Sequence, residues 1–185
     1  MNKRRAKRRF IIGCLTPAII LVTIFMIIPT INVFYMSLFK WGGLSNNKKL
    51  VWFDNFKILF EDTNFLRAMQ NTILLVVVVT IITLFFAIIF ASILSREKIK
   101  GQNFFRIVFY IPNILSVVVI AAIFGAIYNP TTGLLNSLFD MLSLPGLKQM
   151  WMGNSNIALY SLAAALVWQA IGYYMVMYMA SMSSI

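Results

Sequence analysis

The sequence contains no histidine, one cysteine and only five acidic residues in 185. The five acids are all expected to lie in loops: Asp54, Glu61, Asp62, Glu97 and Asp140. A general acid and base pair, a metal site or an activated nucleophile needs such side chains close together, and no grouping here supplies one. The single thiol of Cys14 cannot form an intramolecular disulfide, and a GxxxxGK[ST] loop for nucleotide phosphates is absent. The sequence therefore predicts a protein that is not an enzyme, with no catalytic residue, cofactor or metal.

Charge is also missing from four long stretches, residues 10–38, 72–94, 107–128 and 157–179. At a rise of about 1.5 Å per residue, about 20 apolar residues cross the ~30 Å hydrocarbon layer of a bilayer. A soluble helical bundle would carry a charged stripe on each helix, and barrel strands would alternate in polarity. The stretches therefore predict an all-α integral membrane protein with four transmembrane helices.

Basic residues are abundant, and they lie almost wholly outside these stretches, giving a net charge of +11. Such a charge on a soluble protein would suggest that the protein binds nucleic acid. Here the basic residues lie at the ends of the spans, where they face anionic lipid headgroups. We therefore expect contact with membrane lipid and none with nucleic acid. The predicted inner segments hold Lys3, Arg4, Arg5, Lys7, Arg8, Arg9, Arg96, Lys98, Lys100 and Arg106. Fewer basic residues lie in the longer outer loops, so the N-terminus and C-terminus are predicted to be cytoplasmic.

The first span could instead be a secretory signal, which also begins with basic residues followed by an apolar run. Its apolar run is longer than a typical signal core, and no small-x-small cleavage site precedes the polar loop. Cys14 is expected to be a buried structural cysteine. Pro17 and Pro29 lie within the span and are expected to kink it, because each frees a backbone carbonyl.

The chain divides into three predicted regions. Residues 1–38 form a basic cytoplasmic arm with the first transmembrane helix, and residues 72–185 form the remaining three helices. Residues 39–71 form an outer loop with a short interfacial helix, for which Asp54 is the predicted N-cap. The second outer loop is expected to contain one short helix at residues 134–142. Aromatic rings at the outer boundary are expected at headgroup level: Trp41, Trp52, Phe53 and Trp151.

Mild polar residues occur inside the spans, and the last span gathers several on one face. By helical spacing this face holds Leu162, Ala165, Gln169, Gly172, Tyr173 and Val176. One interpretation is packing, since small residues let helices approach and an amide finds a partner across the interface. The other is a lining for an uncharged polar solute, with Gln169 as hydrogen-bonding group and the Tyr173 ring stacking on the solute. The pairs Ala87 with Ala91 and Ala121 with Gly125 are expected to serve packing.

Several motifs resemble the inner-membrane permease subunits of type I ABC importers that take sugars from a binding protein. They are Val51-Trp52-Phe53-Asp54-Asn55-Phe56 with Phe60-Glu61-Asp62, Phe65 and Asn71-Thr72; Lys100-Gly101-Gln102 with Phe105-Arg106; Tyr110-Ile111-Pro112; Gly133-Leu134-Leu135-Asn136; and Trp168-Gln169 with Gly172-Tyr173 and Met179-Ala180. The resemblance covers essentially the whole chain in order.

This resemblance implies a multi-pass protein of the bacterial plasma membrane that forms part of a sugar path. It implies a second permease subunit, two cytoplasmic ATPase subunits and an extracellular solute-binding protein as partners. ATP hydrolysis is then expected on separate subunits. Residues of the third and fourth spans would face the path, and Asn113, Gln169 and Tyr173 are the candidates.

The sequence departs from the family in one respect. Family members continue after the fourth span into a cytoplasmic loop with a Glu-Ala-Ala and Gly signature, which docks on the ATPase, and then into two further spans. These 185 residues do not include that loop. We therefore expect an incomplete permease core at residues 72–185. The alternative is a small four-span partner or scaffold protein without transport activity of its own.

Overall fold

The computed structural model describes residues 3–43, 47–95 and 99–183. Contacts along the chain divide it into two compact units, Met1–Arg67 and Ala68–Ile185. Within the described ranges, three helical stretches are long and apolar enough to cross a membrane: Lys3–Ser37, Thr63–Leu94 and Ala158–Met182. They correspond to the first, second and fourth predicted spans.

The first unit begins with one continuous helical stretch. Helix α1 covers Lys3–Val22, a π-helical segment covers Thr23–Ile27, and α2 covers Ile28–Ser37. The helix thus starts seven residues before the predicted span, since its basic arm is helical too. Pro17 and Pro29 lie on either side of the π-helical segment, a wider turn that accommodates an interrupted hydrogen-bond ladder. The prediction of a buried Cys14 is wrong, because its side chain is exposed.

The rest of this unit is a short hairpin followed by a short helix. Strand β1, Phe39–Lys40, pairs antiparallel with β2, Lys49–Leu50, and helix α3 covers Asp54–Glu61. The Asn55 amide nitrogen donates to the carbonyl oxygens of Ser37 and Phe39, at 2.7 and 3.1 Å. The predicted short helix is therefore present and attached to the end of α2. Asp54 is its first residue and not its N-cap, which is Phe53, with no side-chain capping bond.

In its described residues, the second unit contains most of helix α4, Thr63–Leu94, and four further α-helices. These are α5, Gln102–Ile114; α6, Val117–Ile127; α7, Leu134–Met141; and α8, Ala158–Met182, with a 3₁₀ turn at Pro145–Leu147. Helix α7 agrees with the short helix expected in the second outer loop. Of the acids expected in loops, Asp140 lies in α7, Asp54 and Glu61 lie in α3, and Glu97 lies outside the described residues together with Arg96 and Lys98.

The core of this unit lies between α4 and α8. It is formed by Ala87, Ala91, Leu94, Met175 and Met179. Ala87 and Ala91 are fully buried, which agrees with the packing role expected from their four-residue spacing. The flexible methionines of α8 fill the remaining space.

The third predicted span is not one helix. Helices α5 and α6 meet at an angle of 102°, with Leu115 and Ser116 in extended backbone conformations between them. Pro112 cannot donate a backbone hydrogen bond within α5, and the Ser116 hydroxyl oxygen accepts one from the Val119 N–H at 3.4 Å. The two helices are about 20 and 16 Å long, so neither alone crosses a ~30 Å hydrocarbon layer. The structure therefore has four membrane crossings in its described residues only if the bent pair α5 and α6 is counted as one crossing.

Candidate functional site

Helix α8 contacts α5 through a glycine. A Cβ atom added to Gly172 would lie 1.8 Å from the Phe109 carbonyl oxygen and 2.9 Å from the Tyr110 nitrogen. These are backbone atoms, which cannot move aside as a flexible side chain can. The close approach of the two helices therefore requires glycine at this position.

Helices α6 and α8 enclose a groove of about 260 Å³. Its lining is mostly small or apolar and consists of Val117, Ile120, Ala121, Phe124, Gly125, Tyr128, Met152, Leu162, Ala165, Leu166 and Gln169. The Tyr128 hydroxyl donates to the Ser161 carbonyl oxygen at 3.0 Å, and the Phe124 and Trp168 rings meet edge to face at 5.4 Å. These two contacts hold α6 against α8 around the groove.

Gln169 is the candidate residue that lies in this groove. Its side chain is half-buried, and no hydrogen bond from it to the described residues is present. The other polar side chain of the lining, Tyr128, already donates its hydroxyl hydrogen to Ser161. Gln169 therefore presents free amide donors and an acceptor to an otherwise apolar groove.

The other two candidates do not line the groove. Asn113 is exposed one helical turn beyond Phe109 on α5, and Tyr173 is 41% exposed on α8. The Tyr173 ring contacts Tyr174 edge to face at 5.4 Å. Within the described part of the chain, no hydrogen bond or ring contact joins Asn113, Gln169 and Tyr173.

Packing buries only some residues of the predicted polar face of α8. Ala165 and Gly172 are buried, whereas Leu162 and Tyr173 are exposed. The buried members serve helix packing, as the first interpretation of the sequence expected. Gln169 and Tyr173 remain available to a solute or to another helix.

A buried asparagine organises the segment between α6 and α8, which the sequence predicts to be the second outer loop. Asn136, only 3% exposed, donates to the carbonyl oxygens of Pro130 and Gln149, both at 3.0 Å. Its own oxygen accepts from the Gln149 N–H at 3.2 Å and from the Trp151 indole N–H at 2.9 Å. All four hydrogen-bonding positions of the amide are thus used. Each buried partner left unpaired would cost about 1–3 kcal/mol, so this residue fixes the loop.

Trp151 belongs to this loop cluster. Its ring stacks on Tyr128 at 6.2 Å and on Phe139 at 6.1 Å. The half-buried ring therefore contacts other aromatic side chains of the protein, and its expected position at the outer membrane boundary stays a prediction. Asn136 belongs to one of the motifs that carry the family resemblance, but its structural role was not predicted from the sequence. The signal that could have indicated this role is a single amide side chain close in sequence to Pro130, Gly133 and Trp151.

The chain is homologous to permease subunits of ABC transporters. It is 35% identical over 172 residues to a probable ABC transporter permease protein, YurN, of Bacillus subtilis strain 168, covering 92% of this chain and 59% of the relative. It is 28% identical over 185 aligned residues to the diacetylchitobiose uptake system permease protein NgcF of Streptomyces coelicolor, covering 95% and 52%. No family model matches the chain.

The fold resembles that of chains in two solved structures of a bacterial ABC transporter. A crystal structure of a bacterial ABC transporter that imports the acidic polysaccharide alginate matches 99% of this chain and 60% of its own, with a TM-score of 0.82 at 23% identity. The alginate transporter in complex with a periplasmic protein bound to alginate pentasaccharide matches with a TM-score of 0.77 at 22% identity. The chain spans between half and three fifths of the length of these relatives, 59%, 52% and 60%.

Proposed function

We propose that the chain forms part of the permease subunit of an ATP-driven, binding-protein-dependent sugar importer. Its homology to ABC transporter permeases along more than nine tenths of its length supports the class. A relative named for diacetylchitobiose uptake and a fold match to an alginate transporter support a carbohydrate solute. A small scaffold protein without transport activity is not favoured, because these relatives are transport proteins.

The assembly that this function needs follows from the same homology. A second permease subunit, cytoplasmic ATPase subunits and an extracellular solute-binding protein would work with the chain in the bacterial plasma membrane. The alginate transporter's complex with a solute-loaded periplasmic protein supports the binding-protein partner. ATP hydrolysis is proposed to take place on the separate ATPase subunits, because the relatives are permeases, which are transport components.

The observation that carries the site is the unpaired amide of Gln169 in an apolar groove of about 260 Å³. An uncharged sugar offers hydroxyl groups to such an amide and apolar ring faces to aromatic side chains. Tyr173 lies one helical turn beyond Gln169, and Asn113 lies just before the bend between α5 and α6. We assign these three residues to the solute path.

Uptake measurements test the proposal. The gene is expressed at its own locus, and uptake of a broad panel of labelled neutral sugars that includes diacetylchitobiose is compared with that of a deletion strain. We expect the deletion to abolish uptake of at least one sugar of the panel. Gln169→Leu should lower uptake about tenfold at equal membrane abundance, the effect of one lost solute hydrogen bond of about 1.4 kcal/mol.

Adjacent tyrosines provide a matched control for the path. Tyr173→Ala should reduce uptake, whereas Tyr174→Ala, of similar exposure but about 100° around the helix, should leave it near the wild-type value. Normal uptake by the deletion strain across a broad sugar panel would contradict the import function. Normal uptake by Gln169→Leu alone would contradict only the role of the groove and support helix packing.

A further inference from the structure

Arg106 on α5 carries a buried donor that nothing in the described structure satisfies. Its side chain is half-buried, and its Nε atom is buried without a hydrogen-bond partner. A buried donor that belongs to a charged group costs more free energy when unpaired than a neutral one does. The position therefore favours an anion that accepts from the guanidinium.

A recess lies beside this guanidinium. It has a volume of about 220 Å³ and is lined by Arg106, Val176, Met179, Ala180 and Ser183. Four of these residues belong to the end of α8 and the turn that follows it. The recess thus offers one positive group together with apolar side chains, a combination that suits a charged headgroup joined to hydrocarbon.

No acidic side chain in the described ranges occupies this place. Among them the one ion pair joins Lys148 to Asp140 at 2.8 Å, in the second outer loop. The remaining described acids, Asp54, Glu61 and Asp62, belong to the first unit. An anion from outside the described chain is therefore the natural partner of Arg106.

The recess lies at one end of the second unit. The distribution of Lys and Arg along the chain predicts that this end faces the cytoplasm. The start of α5 and the ends of α4 and α8 meet there: Gln102 donates from Nε2 to the Leu94 carbonyl oxygen, and Ser95 contacts the Met182 sulfur at 3.7 Å. Lys100 is exposed nearby along the chain. Cytoplasmic leaflets carry anionic lipid, and basic pockets between helices on this side bind lipid headgroups.

We propose that Arg106 and this recess bind the phosphate group of an anionic phospholipid of the inner leaflet. The guanidinium donates to phosphate oxygens, a geometry in which arginine forms two parallel hydrogen bonds. Val176, Met179 and Ala180 contact the glycerol and the first acyl carbons. The site would fasten a lipid between α5 and α8, and it does not depend on which solute the protein transports.

Native mass spectrometry of the full chain, purified in detergent and stripped of lipid, tests the site. Phosphatidylglycerol is added to the wild-type protein and to Arg106→Gln, with phosphatidylcholine as the zwitterionic comparison. We expect wild-type protein to bind phosphatidylglycerol at least tenfold more tightly than phosphatidylcholine. Arg106→Gln should lose about tenfold in affinity for phosphatidylglycerol, because a charge-assisted hydrogen bond is lost.

Two controls separate this site from general attraction to basic residues. Lys100→Gln removes an exposed positive charge in the same region and should change the affinity much less than Arg106→Gln does. Inorganic phosphate at millimolar concentration should not displace the lipid. Equal effects of the two substitutions, equal binding of both lipids, or displacement by free phosphate would each overturn the proposal.

A second measurement needs no variant and so does not depend on the folding of Arg106→Gln. Phosphatidylglycerol with a photoactivatable group near the glycerol is irradiated with the wild-type protein in vesicles of phosphatidylglycerol and phosphatidylcholine. We expect adducts at residues 176–183, which line the recess together with Arg106. Adducts spread evenly over the lipid-exposed helices, without enrichment there, would refute the site.

Discussion

At the scale of single residues, one glycine determines how closely two helices pack. Gly172 is buried where α8 passes the backbone of Phe109 and Tyr110. Gly125 on α6 lies in the same unit, but a Cβ atom added there would meet nothing within 4 Å. An added methyl group would therefore lower the stability of the fold at residue 172 and not at residue 125. The sequence alone does not distinguish the two glycines.

Gly172→Ala should destabilise the protein, whereas Gly125→Ala should not. The added methyl group at residue 172 forces α5 and α8 apart, and such overpacking costs about 1–3 kcal/mol. For a chain of this size we expect the unfolding midpoint to fall by about 3 to 10 °C. Thermal unfolding in detergent measures both variants. Equal midpoints for the two substitutions would show that the close approach of α5 and α8 is absent.

At the scale of elements, the bend between α5 and α6 is the feature with most consequence. A straight helix over this segment would cross the bilayer, but the structure turns it by 102° at Leu115 and Ser116. The bend brings α6 against α8, where Phe124 contacts Trp168 and Tyr128 contacts Ser161, and so creates the groove that contains Gln169. The candidate site thus exists because the third predicted span is broken.

Spin-label distances distinguish the bent pair from a straight helix. Asn103→Cys and Ala126→Cys, both at exposed positions, are labelled in a Cys14→Ser background. From the helical rise, their backbones should be about 20 Å apart with the bend and about 35 Å apart without it. Electron paramagnetic resonance on the protein in detergent or nanodiscs measures this distance. A single population near the longer distance would contradict the bend and the groove.

At the scale of the whole molecule, basic residues predict the orientation in the membrane. The predicted inner segments are short and dense in Lys and Arg, whereas the outer loops are long. Lys100 precedes α5 on the predicted inner side, and Asn156 precedes α8 on the predicted outer side. Both side chains are exposed, so each position is suitable for chemical labelling.

Single cysteines at these positions should react on opposite sides of the membrane. In a Cys14→Ser background, Asn156→Cys should react with a membrane-impermeant maleimide in intact cells. Lys100→Cys should react only after the cells are permeabilised, which also serves as its control for reactivity. The reverse pattern would contradict the predicted cytoplasmic termini and would place the Arg106 recess at the outer leaflet.

The sequence predicts the membrane spans well and their internal geometry less well. The lengths of the apolar stretches identify three spans, and the four-residue spacing of Ala87 and Ala91 identifies a packing pair. Both features depend only on local sequence. The bend depends on Pro112 and Ser116 acting together, and each alone is common in an uninterrupted membrane helix. Gly172 contacts the backbone of α5, and Gln169 lies in a groove formed with α6. Both contacts are made with residues that are distant in the sequence. Only tertiary packing decides such contacts.

The saturated amide of Asn136 has a mechanical consequence. Since Pro130, Gln149 and Trp151 all hydrogen-bond to one side chain, the segment between α6 and α8 resists bending within itself. The Trp151 ring stacks on Tyr128, and the Tyr128 hydroxyl donates to the Ser161 carbonyl oxygen, so the segment is coupled to the backbone of α8. The segment between α6 and α8, at the predicted outer end of the second unit, is therefore expected to move as a rigid body.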